Sequence, residues 1–183
     1  LGGRIDFPST LKTIYSYAFY ATAIEQMLFP QTGDITISNY VFQNCNKLTG
    51  ILEIPASVVK ISDHAFRDMK NVEGVWFAQD SRLTAIGGAA FYNCPKLSGV
   101  IEIPASVTSI GGQAFDQCGP ITAIKLHEGL TTINQGAFGR RTTYATDIVD
   151  TLVIPSTATK IYYNAFKNQN FKHIKVLATT PPT

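Results

Sequence analysis

The sequence predicts a mainly-β repeat solenoid: a stack of about seven and a half rungs, 23–25 residues each, carrying short parallel strands. Two periodic features and the composition predict it. The phrase Ile-x-x-x-Ala-Phe recurs from Ile14, Ile61, Ile86, Ile110, Ile133 and Ile161, with a Val variant from Ile37 to Phe42. Its Phe residues, Phe19, Phe42, Phe66, Phe91, Phe115, Phe138 and Phe166, lie 23, 24, 25, 24, 23 and 28 positions apart. An apolar-x-apolar triplet keeps the same register. The 183 residues are 45% hydrophobic and only 15% charged, with 20 Thr and 10 Ser. That chain can bury a core beneath a neutral, hydroxyl-rich surface, as suits an extracellular β-protein.

Each rung element has its own signal. The triplets are Ile5-Asp6-Phe7, Met27-Leu28-Phe29, Leu52-Glu53-Ile54, Val75-Trp76-Phe77, Ile101-Glu102-Ile103, Ile124-Lys125-Leu126, Leu152-Val153-Ile154 and Ile174-Lys175-Val176. Period-two alternation marks a strand with one buried face. Pro8, Pro55, Pro104 and Pro155 follow four of the triplets and end those strands, since proline cannot donate to a ladder. A second short strand is expected around each repeat Ile, with an apolar residue such as Leu11, Val58, Leu83, Val107 or Leu130 three positions earlier. Gly87-Gly88 and Gly111-Gly112 read as turns. Ala-Phe then fills the core, the seven Phe rings forming one buried column. One rung cannot bury its own apolar side, so copies stack with equivalent strands about 4.8 Å apart in parallel ladders. The last triplet, Ile174 to Val176, should pair on one side only, with Leu152 to Ile154.

The run from Leu97 to Phe115, Leu-Ser-Gly-Val-Ile-Glu-Ile-Pro-Ala-Ser-Val-Thr-Ser-Ile-Gly-Gly-Gln-Ala-Phe, resembles the BspA-type leucine-rich repeat of bacterial surface proteins. The resemblance extends from about Ile5 to Val176. It implies a right-handed leucine-rich-repeat-type stack. It also implies a bacterial protein that is secreted or attached to the cell surface, since several family members are implicated in adhesion to host proteins or other cells. The solenoid is expected over residues 1–177, with a Pro/Thr-rich tail at 178–183 leading to a further segment. The chain lacks a signal peptide and an initiating Met, as a fragment excised from a longer protein would. Two places depart from the pattern. The second rung has an extra residue, with Asp34 where an apolar residue is usual. An insert runs from Gly139 to Asp150.

Composition and motifs narrow the function classes. Net charge is +2 with both signs dispersed, so no basic stripe tracks nucleic acid. No apolar run is long enough for membrane insertion. Nucleophile-elbow, zinc-protease, phosphate-loop and dinucleotide motifs are missing from the sequence. Cys45, Cys94 and Cys118 share one column, three residues after their Phe, which reads first as a buried ladder of small side chains. Cys94 and Cys118 stand on adjacent rungs, a spacing compatible with a disulfide. No pair has zinc spacing. His64, His127 and His173 occupy different columns and do not converge. Glu53 and Glu102 share a column two rungs apart, about 9.6 Å. That is near the far limit for an inverting glycosidase pair, but they read better as rim charges. No catalytic residue, metal site or cofactor is expected, and the chain is not read as an enzyme.

The outward face of the first ladder carries the binding expectation. The middle residue of each triplet points away from the core. Trp76, the single Trp, stands there. Ile51, Gly74 and Val100 lie two positions upstream in the parallel column, and Glu53, Glu102 and Lys125 lie along the ladder. The candidate protein-binding set is therefore Ile51, Glu53, Trp76, Val100, Glu102 and Lys125: an apolar anchor with a charged rim. Against this stands a Trp76 folded over Gly74, covering Ile51 and Val100 without a ligand. The insert supplies a secondary candidate loop, Arg140, Arg141 and Tyr144. The expected role is a monomeric interaction module for an extracellular protein or glycan. The alternative is a rigid spacer with no ligand of its own.

Overall fold

The computed structural model describes residues 2–140 and 148–177, which form a mainly-β parallel solenoid of about seven turns. The triplets form the first strand of each rung: β1 (Gly2–Asp6), β3 (Ala23–Leu28), β5 (Gly50–Ile54), β7 (Val72–Phe77), β9 (Gly99–Glu102), β11 (Ile121–Lys125), β13 (Leu152–Ile154) and β15 (Ile174–Val176). The repeat Ile lies in the second: β2 (Thr13–Ile14), β4 (Ile35–Ile37), β6 (Val58–Ile61), β8 (Ala85–Ile86), β10 (Ser109–Ile110), β12 (Thr132–Ile133) and β14 (Lys160–Ile161). These seven second strands make one continuous parallel sheet.

The rest of each rung is not a strand, yet it is a ladder too. The residues two before and two after each repeat Phe have positive φ on most rungs: Tyr40 and Asn44 about Phe42, His64 and Asp68 about Phe66, Ala89 and Asn93 about Phe91. Left-handed residues at every fourth position turn alternate amides along the stack. Tyr40, Phe42 and Asn44 donate to the Asp63, Ala65 and Arg67 carbonyls, and the pattern repeats on successive rungs. The Gly pairs allow close backbone approach on this side. A Cβ on Gly111 would lie 2.4 Å from the Gly88 nitrogen.

The core follows from this register. The seven Phe rings stack in sequence with centroids 5.1–5.5 Å apart and planes within 11°. The five inner rings are fully buried, and Phe19 and Phe166 at the ends are half-buried. The offset contact of stacked rings adds to their area burial.

The expectation that equivalent strands lie about 4.8 Å apart in parallel ladders holds for the second strands and is corrected for the first. The triplet strands pair only two by two: β1 with β3, β5 with β7, β9 with β11 and β13 with β15. Proline is one reason. Within a pair, the Ile54 carbonyl accepts from Ala78 N–H at 3.0 Å. One rung on, the Phe77 carbonyl would need a donor at position 104, which is proline. Pro55 opposite Phe29 and Pro155 opposite Leu126 repeat the deficit. Bulges are the other reason. Register shifts leave Glu73 and Thr122 unpaired within their own pairs. Bulges bend the strand that carries them. The carbonyls of Glu73 and Thr122 instead accept from Ser98 at 3.0 Å and Asp150 at 3.1 Å, pinning the start of the next junction. The β7–β9 and β11–β13 junctions are thus tied at one end and opened at the proline end.

Asp34 does not occupy the core column. A one-residue shift against β6 puts Ile35 opposite Val58, fully buried, and leaves Asp34 outside. There it pairs with Arg82 at 2.7 Å.

Candidate functional site

The alternation of triplet strands places the six candidate residues. Glu53 is in register with Trp76, Ile51 with Gly74, Val100 with Ala123, and Glu102 with Lys125. All six point outward. Ile51 is 66% exposed, Trp76 49% and Val100 48%. Trp76 therefore does not cover Ile51 and Val100. Ile51 itself leans over Gly74, where an added Cβ would meet its Cγ1 at 3.7 Å.

The opened junctions divide the candidates between two grooves. One, of about 470 Å³, lies between β7 and β9 and is lined by Trp76, Val100, Glu102, Pro104 and His127. The other, of about 420 Å³, lies between β3 and β5 and is lined by Leu28, Ile51, Glu53, Glu25 and Arg4. The structure thus brings Trp76, Val100 and Glu102 together but assigns Ile51 and Glu53 to the neighbouring groove. The candidate set drawn from the sequence did not include Leu28, His127 or Pro104. The signal was there: Leu28 to Trp76 is 48 positions, and Ile51 to Val100 and Glu53 to Glu102 are 49 each. The grooves follow a two-rung period.

Their charges differ in availability. Glu102 accepts from Lys125 Nζ at 3.2 Å and lies 3.2 Å from His127 Nε2. The Lys125 hydrogen bond holds its carboxyl below the usual carboxylate range, and His127 adds to this. Glu53 has no hydrogen bond or ion pair among the described residues. Lys125 therefore acts first as the clamp on Glu102.

The secondary loop is corrected at Arg140. Its side chain is 2% exposed, and its backbone bridges Cys118 and donates to the Lys167 carbonyl at 2.9 Å. Arg140 continues the hydrogen-bonded column after Phe138 before the insert begins, so it is not displayed. Arg141 and Tyr144 lie outside the described residues, as does the 178–183 tail.

Cys45, Cys94 and Cys118 are buried, and no disulfide joins them among the described residues. Each donates to the repeat-Phe carbonyl of the preceding rung: Cys45 to Phe19 at 3.0 Å, Cys94 to Phe66 and Cys118 to Phe91 at 3.3 Å. Burial pushes the Cys94 thiol up to about 12, far from reactive thiolate. His64 stacks on Tyr40 at 4.6 Å on the turn side, His127 meets Glu102, and His173 lies at the last rung. No three His, Cys, Asp or Glu side chains are grouped to hold a metal among the described residues. Nor is any helix there long and apolar enough to cross a membrane.

The family model described as the BspA type leucine rich repeat region matches six copies, over residues 3–77 and 35–172. The chain belongs to the BspA-type leucine-rich repeat family. This BspA-type chain is also similar to two solved structures. A leucine-rich repeat protein of T. pallidum is 27% identical with a TM-score of 0.65, over 74% of this chain and 64% of that one. A leucine-rich cell surface protein of Faecalibacterium prausnitzii is 19% identical with a TM-score of 0.61, over 98% of this chain and 60% of that one, a likeness of fold. The chain spans less than two thirds of the length of either. No curated protein matches it.

Proposed function

We propose that this repeat array is a surface-displayed recognition module that binds an extracellular protein through the open face of its triplet strands. Trp76 carries the reading. It is a large aromatic side chain half-exposed at a groove, with Val100 beside it and the Glu102 carboxylate at the rim. Central aromatic anchors of this kind dominate interface energies. The cell-surface description of the F. prausnitzii structure supports surface display. The binding set is Trp76, Val100 and Glu102 in one groove with Ile51 and Glu53 in the next, and Lys125 orders Glu102.

Comparing wild type with Trp76→Ala in surface-plasmon assays against extracellular-matrix proteins and glycans tests this. Trp76→Ala should weaken binding by about 2 kcal/mol or more and leave stability nearly unchanged. Glu53→Lys should mainly slow association and alter its salt dependence. Equal binding by wild type and Trp76→Ala would move the site elsewhere. Binding by neither would favour the rigid-spacer role.

A further inference from the structure

The two grooves share one arrangement, although Glu102 is held by Lys125 and His127 and Glu53 is not. Each presents an apolar residue from the strand before the junction (Leu28 or Trp76), an apolar residue from the strand after it (Ile51 or Val100) and a carboxylate (Glu53 or Glu102). The face between them is acidic. Strands β3, β5, β7 and β9 carry exposed Glu25, Glu53, Glu73 and Glu102 and no basic residue. Arg4, across the β3–β5 groove, is held by Asp6 at 2.6 Å.

We propose that these grooves take successive anchors of one cationic peptide in polyproline II conformation, lying along the solenoid axis. The inference rests on the recognition reading above and names the partner's chemistry. Its geometry is a match of periods. Two rungs along the triplet face span one hydrogen-bonded strand spacing of about 4.8 Å and one opened junction, at least about 9.6 Å in all, and one turn of polyproline II, about 9.3 Å in three residues, is the peptide repeat nearest to that span. Apolar side chains at every third position therefore meet both grooves in step. A β-strand repeats a face every two residues, about 6.7 Å, and drifts out of step. Basic residues in the peptide face Glu53 and the neighbouring carboxylates. A β-linked sugar chain fits less well, because the equivalent of Trp76 in the other groove is Leu28, which offers no aromatic plane, and the carboxylates repel anionic glycans.

The test uses Trp76 as its own reporter, since it is the single Trp. A short peptide repeating Leu-Pro-Arg is titrated while Trp76 emission is followed. A permuted peptide of the same composition, with its leucines two apart, is the control. The repeating peptide should shift the emission to the blue, lose affinity with added salt, and bind about tenfold more tightly than the permuted one. With labelled peptide and polarisation readout, Leu28→Ala and Glu53→Gln should each weaken binding several-fold, showing that the groove remote from Trp76 is occupied. Both are exposed positions whose replacement leaves the core intact.

Equal affinity for the two peptides overturns the period match while leaving the recognition face standing. A Trp76 shift with unchanged affinity in Leu28→Ala and Glu53→Gln overturns the two-groove arrangement. A shift produced by a β-linked oligosaccharide but by neither peptide overturns the peptide in favour of a glycan. No shift with either peptide or the sugar overturns the inference, and the matrix-protein comparison of wild type with Trp76→Ala then judges the recognition face separately.

Discussion

The repeat Phe is the residue on which each rung depends. Phe91 is stacked between Phe66 and Phe115 and meets Phe77 edge-on at 6.4 Å. Its neighbours are fixed by their own rungs and cannot collapse inward. Phe91→Ala should cost about 3–5 kcal/mol in urea unfolding. The cysteine column behaves differently. Its thiols are capped by Phe carbonyls, and burial suppresses the thiolate of Cys94. Native protein should release almost no colour with a thiol reagent such as Ellman's, and three equivalents after denaturation. Rapid labelling of Cys94 in the native state would show that its rung opens readily.

At the scale of the element, proline decides where the triplet sheet stops. Pro104→Ala supplies the missing N–H opposite the Phe77 carbonyl. Pairing should then extend across the junction and narrow the β7–β9 groove, lowering acrylamide quenching of Trp76. Unchanged quenching would assign the opening to the Glu73 bulge instead. Sequence made much of this legible. Strict spacing fixed the Phe column, the outward triplet positions and the pairing of Ile174 to Val176 with β13, because period-two alternation and a buried ring leave one register. It did not show the break between strand pairs. Proline was visible at 55, 104 and 155, but its effect depends on which neighbour's carbonyl faces it, and that is a property of the stack. Asp34 was misplaced for the same reason: a bulge let Ile35 take the core position. Arg140 fell in a run that looked like an insert, yet its backbone still belongs to the turn-side ladder.

Across the whole molecule, cohesion runs from rung to rung, and one polar network shows how. Asp68 is bonded by Arg67 and Lys70 of its own rung, by Gln43 of the rung before and by Asn93 of the rung after. Burial alone would raise the Asp68 carboxyl, but hydrogen bonds from Lys70 and Asn93 outweigh it and hold the group below its ordinary value. A depressed folded-state value means that Asp68 stabilises the fold fully above the unfolded carboxylate pKa of about 3.9. That contribution is lost as pH falls through the folded value. Urea midpoints measured from pH 6 to pH 3 should drop less steeply for Asp68→Asn than for wild type, and parallel curves would remove Asp68 from the acid response. The pairing of triplet strands has a consequence for how such arrays grow. Rungs are countable, but grooves appear only where a proline-bearing rung follows one of the other kind. Gene duplication of a single rung would shift the parity of everything beyond it and set like rungs side by side. Duplication of a 48–49-residue unit keeps parity and adds one whole groove. Ligand valence, and with it avidity, should therefore change in steps of two rungs.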